Sequence, residues 1–167
     1  MTSAFEIHPL DSNFDRDHFD CGNEVLNKFL KSHARQNQEK GVSRTFVAIE
    51  SGDKEKRILG FYSQSMAQVD LSSFPYEIKK KLPRHPVPSA RIGRLATDVT
   101  SRNRGLGKLL VVDALKRVKA VSGQIGVYAV IVDAKDQHSK DFYLNLGFVV
   151  SSSDPMMLFY SVSSIPT

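Results

Sequence analysis

The sequence predicts a single α/β domain, and three observations carry that prediction. The first is length: 167 residues hold one domain with a sizeable core and would cramp two. The second is composition, with 41% hydrophobic and 25% charged residues, the usual balance of a globular chain. The third is pattern. Segments of strand-like alternation and segments of helical spacing succeed one another in the order β-α-β-β-α-β-α-β-α-β-β, which implies a mixed central sheet flanked by helices.

Each element has its own justification. "AFEIHPL" alternates as a short first strand. "CGNEVLNKFLKSHARQNQEKG" follows, with Val25, Leu26, Phe29 and Leu30 at helical spacing, Asn23 as its N-cap and Gly41 as its stop. "RTFVAIE" and "ILGFYSQSMAQVD" read as strands around the polar turn "SGDKEKR". "PYEIKKKL" is a short helix with Pro75 in its first turn, and "PRHPVPS", with three prolines, is an extended connector. "ARIGRLATDVT" is the next strand. From Leu106 the pattern turns helical: Leu106, Leu109, Leu110, Leu115 and Val118 share a face, while Lys108, Lys116 and Lys119 point away. "IGVYAVIVDA" is apolar enough for a strand buried on both faces. "DQHSKDFYLNLG" is an amphipathic helix ending at Gly147, and "FVVSS" and "MMLFYSVSS" close the order.

Composition also narrows the chemistry. The single cysteine, Cys21, excludes an intrachain disulfide and suits a reducing cytoplasm. One thiol and five histidines without ligand spacing argue against a metal. No apolar run approaches the roughly 20 residues of a membrane span, and the first ten residues lack the pattern of a secretory signal. A formal net charge of +5 favours an anionic partner without choosing one.

The segment "SRNRGLGKLL", residues 101–110, asks for a chemical explanation. It links a strand to a long helix, where first-turn N–H groups are available to an anion. Gly105 and Gly107 permit close approach of backbone to ligand. Arg102, Arg104 and Lys108 place cations where the helix dipole disfavours them, a conflict that a bound anion relieves. Taken alone, the segment is equally a basic helix start. A Walker A loop fails, because Arg102 stands where its first glycine belongs and Leu109 follows Lys108. The dinucleotide fingerprint fails too, because it needs glycine at Leu110.

The pattern R-x-x-G-x-G, carried by Arg102, Gly105 and Gly107, resembles the coenzyme A pyrophosphate loop of the GNAT superfamily of N-acetyltransferases. "DFYLNLGF", residues 141–148, is similar to that superfamily's late helix-to-strand signature. The resemblance implies a single N-acetyltransferase domain over residues 1–167. It implies acetyl-CoA as cofactor and middle strands splayed between residues 90–99 and 126–134. It also implies cofactor contacts at Leu95, Ala96, Thr97, Arg102, Arg104, Gly105, Leu106, Gly107, Lys108, Asp136 and Phe142. Tyr143 is implied as the general acid that protonates the departing thiolate.

"FDCGNEVLNKFL", "ARQNQEKGVSRTFVA" and "HPVPSARIGRLATD" resemble one branch of the superfamily, the acetyltransferase toxins of type II toxin–antitoxin pairs. That branch implies acetylation of aminoacyl-tRNA, a block on translation and neutralisation by a ribbon-helix-helix antitoxin. Thr97 stands where valine is common in the branch, Arg102 where glutamine is common, and Asp136 where many relatives have asparagine. Given the branch, Arg35, Lys79, Lys80, Lys81, Arg84, Arg91 and Arg94 are the candidate tRNA contacts, with Lys28, Lys31, Lys40 and Arg44 adding charge along the first helix and after it. Glu50 and Asp98 read as solvated strand-end carboxylates, His138 as an exposed polar residue and Cys21 as a small buried thiol. Two alternatives stay open: an N-acetyltransferase for a small amine or a protein amino group, and a non-catalytic binding module. Homodimer formation stays open as well.

Overall fold

A computed structural model describes residues 4–167, and its elements keep the expected order. They are β1 (Phe5–Pro9), α1 (Glu24–Lys28), α2 (Ala34–Glu39), β2 (Arg44–Glu50), β3 (Gly60–Val69), α3 (Tyr76–Lys79), β4 (Val87–Thr97), α4 (Leu106–Val121), β5 (Ala129–Asp133), α5 (Gln137–Asn145), β6 (Val149–Val150) and β7 (Met157–Ser161). The strands of the described residues form one seven-stranded mixed sheet in the order β1-β2-β3-β4-β5-β7-β6. β4 and β5 are parallel, and β1–β2, β2–β3, β5–β7 and β6–β7 are antiparallel. The β4–β5 register pairs Ser89–Ile92 with Ala129–Val132, while β4 continues to Thr97.

The chain divides into two compact units. One runs to Ser65 and takes in Gly93–Ala114; the other comprises Met66–Ile92 and Leu115–Thr167. In the first, the core is built by Phe29, Leu30 and Ala34 against Val47, Ile49 and Phe61. Strand alternation sends Phe61 into that core and its neighbours the other way. A side chain at Gly60 would meet Leu106 and Leu110 of α4, and the Tyr62 hydroxyl donates to Asp113 Oδ2 at 2.6 Å. Helices therefore cover both faces of β3 within this unit. Truncating a fully buried ring such as Phe61 to alanine costs about 3–5 kcal/mol.

In the second unit Phe74 packs edge-on against Phe159 at 5.1 Å and Tyr128 at 5.7 Å, with Ile78 and Leu82 closing that core. The opposite face of β7 carries Tyr160, whose ring meets Phe148 at 5.3 Å. Ser151 Oγ donates to the Ser73 carbonyl at 2.9 Å, so the strand ends are tied by buried polar bonds.

Four local features differ from expectation. Asn23 does cap α1, accepting from Val25 and Leu26 N–H, but Val25 itself is exposed. The long first helix is interrupted by a π-helical turn, Phe29–His33, across which Ala34 N–H donates to the Phe29 carbonyl. Val87–Ser89 belong to β4 rather than to the proline connector. Pro88 is tolerated there because its carbonyl accepts Tyr128 N–H at 2.8 Å and it needs no donor of its own. Finally, β5 begins only at Ala129, since Ile125 N–H still bonds back to Val121 of α4.

Candidate functional site

The glycine segment occupies the approach to α4 in the first unit. A 3-10 turn, Val99–Ser101, leads from β4 to Arg102. Asn103 and Gly105 both adopt positive φ, +64° and +76°. The left-handed conformation, not lack of space, demands glycine at 105, because a Cβ there would meet nothing within 4 Å. Gly105 also occupies the cap position, its carbonyl accepting Leu109 N–H at 3.1 Å. A glycine has no side chain with which to cap, and among the described residues the N–H groups of Leu106, Gly107 and Lys108 have no acceptor. That is the donor arrangement an anion takes.

The three cations of this loop have different surroundings. Arg104 forms an ion pair with Glu50, and its guanidinium lies 4.5 Å from the Phe5 ring centroid. The Arg104 hydrogen bond holds the Glu50 carboxyl below its usual range. Arg102 is exposed, yet its Nη2 donates to the Cys21 carbonyl at 3.1 Å. Lys108 is exposed on the first turn with no ion pair among the described residues. Ahead of the loop on β4, Ala96 is buried in the first-unit core, and Leu95 and Thr97 are half-buried.

Asp98 is not the solvated carboxylate that sequence position suggested. It is 1% exposed and accepts from Asp20 N–H, Thr100 N–H and the Thr100 hydroxyl at 2.9, 2.9 and 2.7 Å, with Arg57 Nη2 at 3.7 Å. Burial pushes its carboxyl up, but these donors and Arg57 outweigh burial and hold it below the ordinary value. Asp98 is thus a fixed anionic anchor for the turn that leads into the loop. Glu50 likewise is engaged, by Arg104, rather than simply solvated. Cys21 is half-buried, and its Sγ lies 3.6 Å from the Asn23 carbonyl.

The second unit holds Asp136, Phe142 and Tyr143 on or beside α5. Asp136 caps the helix by accepting Ser139 N–H at 2.8 Å, and that bond holds its carboxyl low. His138 is exposed. Tyr143 is buried at 8% exposure, between the rings of Phe142 and Phe148 at 5.1 and 5.3 Å. Burial pushes its hydroxyl up to about 12, and among the described residues that hydroxyl has no hydrogen-bond partner. It is a neutral donor at every physiological pH.

The basic residues are also divided. In the first unit, Arg94 lies 3.9 Å over the Phe29 ring, and Arg35 faces Glu39 at 3.8 Å. In the second, Lys80 pairs with Glu77 at 2.8 Å and covers the Tyr76 ring, and Arg91 pairs with Asp133. Lys79, Lys81 and Arg84 are exposed and make no ion pair among the described residues. The partners Glu50 and Asp133, and Phe29 beneath Arg94, are distant in sequence and carry no local signal, whereas Glu77 stands three residues before Lys80 at a spacing that pairs charges on a helix. Among the described residues no three His, Cys, Asp or Glu side chains come together as a metal site, and no helix is long and apolar enough to cross a membrane.

Comparison with known proteins identifies the family and the fold. Residues 14–157 match the family model of the acetyltransferase (GNAT) domain. A tRNA-acetylating toxin of Mycobacterium tuberculosis is 33% identical over 140 residues, which is 84% of this chain and 81% of that protein. A tyrosine-to-phenylalanine mutant of KacT superposes with a TM-score of 0.92 at 32% identity, over 98% of each chain. AtaT in complex with acetyl-methionyl-tRNAfMet superposes at 0.90 with 29% identity, over 96% of each chain. A tyrosine-to-phenylalanine mutant of AtaT, bound to acetyl-CoA and the C-terminus of the antitoxin AtaR, superposes at 0.83 with 26% identity, over 98% of this chain and 96% of that one.

Proposed function

The chain belongs to the GNAT acetyltransferase family, and from that premise we propose that it acetylates the α-amino group of an aminoacyl-tRNA, blocks translation and is restrained by a ribbon-helix-helix antitoxin. The observation that carries the cofactor half of this reading is the glycine-capped amino end of α4, with Arg102 and Lys108 beside it. The mycobacterial tRNA-acetylating toxin and the tRNA complex of AtaT support the acceptor half. We take residues 1–167 as one acetyltransferase domain, acting in the cytoplasm where charged tRNA is found.

In this reading the free N–H groups of Leu106, Gly107 and Lys108 bind the pyrophosphate of acetyl-CoA, and the Lys108 ammonium adds charge. Arg102, steadied by the Cys21 carbonyl, has guanidinium N–H groups left for the same anion. Arg104 serves the loop indirectly, through Glu50 and Phe5. Backbone groups of Leu95, Ala96 and Thr97, past the last β4–β5 pair, orient the pantetheine arm. When bound, acetyl-CoA supplies a thioester carbonyl open to attack and a thiolate leaving group.

The chain's own task is then to manage protons. An α-amino group has a reference pKa of about 8, so a useful fraction is already neutral near pH 7 and no dedicated base is required. As the N–C bond forms and the C–S bond breaks, Tyr143 donates its hydroxyl hydrogen bond to the departing sulfur, and the ammonium proton passes to water. Phe142 and Phe148 hold the Tyr143 ring in place, and Asp136 fixes the first turn of its helix. Lys79, Lys81 and Arg84, with Arg35, Lys80, Arg91 and Arg94, supply phosphate contacts for the tRNA.

The test is to incubate the protein with radiolabelled acetyl-CoA and charged total tRNA. Label should enter the tRNA fraction and leave it on deacylation. Label confined to small amines or proteins, with tRNA unlabelled, refutes the proposed acceptor.

A further inference from the structure

The segment "FDCGNEVLNKFL" holds the approach to the α4 loop. Asp20 N–H donates to Asp98 Oδ2 at 2.9 Å, and Val99 N–H donates to the Asp20 carbonyl at 2.8 Å. Arg102 Nη2 donates to the Cys21 carbonyl at 3.1 Å. Three hydrogen bonds therefore lace residues 20–21 to residues 98–102, directly ahead of Asn103–Lys108.

One side chain sets the shape of that short segment. Asn27 of α1 is 3% exposed. Its Oδ1 accepts Cys21 N–H at 2.9 Å, and its Nδ2 donates to Asp20 Oδ1 at 3.0 Å. The same Asp20 oxygen accepts Gly22 N–H at 2.9 Å. Gly22 has φ +83°, and a Cβ there would stand 3.2 Å from Arg102 Nη2, so even the turn's third residue is shaped around the arginine. A buried amide on a helix is costly unless it is satisfied. Both of these Asn27 bonds reach residues 20 and 21.

We propose that Asn27, acting with Asp20, is a positioning residue for acetyl-CoA binding. Its amide holds the 20–22 turn, and the turn holds Arg102 and the 98–102 approach in the geometry the loop needs. This rests on reading residues 102–108 as the acetyl-CoA loop. Loss of the clamp does not remove a group that touches the cofactor. It lowers the fraction of chains whose loop is competent, and apparent affinity falls by that fraction.

Acetyl-CoA titration of the full chain by calorimetry tests this, with acetyl-transfer kinetics and thermal unfolding followed in parallel. Asn27→Ala should weaken acetyl-CoA binding about tenfold and raise its KM by a similar factor while kcat stays within about twofold. Combined with Arg102→Ala, it should add little, because both changes release the same clamp. A folded Asn27→Ala protein with wild-type affinity, or losses that add fully with Arg102→Ala, overturns the proposal. If Asn27→Ala does not fold, Asp20→Ala at its exposed position carries the test. Severalfold weaker binding supports the clamp, and unchanged binding overturns it. A wild-type chain that fails to bind acetyl-CoA overturns the loop assignment and the proposal together, whereas wild-type binding with unaffected variants overturns the proposal alone.

Discussion

Replacing Tyr143 by phenylalanine removes one oxygen and leaves a ring still packed between Phe142 and Phe148. With the hydroxyl held at about 12 and a thiol at about 8.5, complete proton transfer to the leaving sulfur runs uphill by about 5 kcal/mol. Tyr143 therefore works as a hydrogen-bond donor whose bond strengthens as negative charge gathers on sulfur. Hydrogen bonds to charged groups contribute about 1.5–3 kcal/mol, so Tyr143→Phe should lower kcat by roughly 10- to 150-fold. The KM for acetyl-CoA should move less than about threefold, because the lost interaction belongs to the transition state. Thermal stability should change little, since the hydroxyl has no partner among the described residues. Initial rates of acetyl transfer from pH 6 to 9, below the range in which the aminoacyl ester is lost fastest, supply the second arm of the assay. The rate should rise as the α-amino group loses its proton, about pH 8, with no falling limb up to pH 9. A Tyr143→Phe enzyme with wild-type kcat, or a fall in initial rate between about pH 8 and pH 9, would refute this account of the tyrosine.

Gly105→Ala should lose about 1–2 kcal/mol of stability, because φ +76° is left-handed, and acetyl-CoA affinity should fall with it; calorimetry beside thermal melting checks both. Asp98→Asn should destabilise the chain by about 1–3 kcal/mol, since an amide cannot accept all the donors that converge on the carboxylate. Because the Asp98 carboxyl is held below 3.8, its contribution is present above that pH and lost as pH falls through its lowered value, and acid unfolding of Asp98→Asn should lack that component. Charge reversal at Lys79, Lys81 and Arg84 should raise the KM for charged tRNA and flatten its salt dependence, leaving the KM for acetyl-CoA in place.

Much of the architecture is legible from local pattern. Arg44–Glu50 is β2 to the residue, Asn23 caps α1 as its chemistry predicts, and Leu106, Leu110, Leu115 and Val118 are all buried on α4. Glycine spacing also marked the turn into α4, where Gly105 is left-handed. What stayed hidden depends on contacts distant in sequence. The isolation of Asp98 from water comes from Asp20 and Arg57, and the occupation of Arg104 comes from Glu50. The burial of Tyr143, which raises its pKa, comes partly from Phe148 beyond the end of its helix. Helical spacing placed Val25 on the apolar face, but Val25 stands in the first turn of α1 and is exposed, and beyond Phe29 the π-helical turn breaks the regular spacing.

The proposed activity stands on the identity of the acceptor atom. The most direct measurement is mass spectrometry of aminoacyl-adenosine released by nuclease from charged tRNA after exposure to the protein and acetyl-CoA. N-acetyl-aminoacyl-adenosine should form only when both are present and be strongly reduced with Tyr143→Phe. Unmodified aminoacyl-adenosine, with acetyl groups found instead on protein amines or free small amines, would contradict the proposed activity.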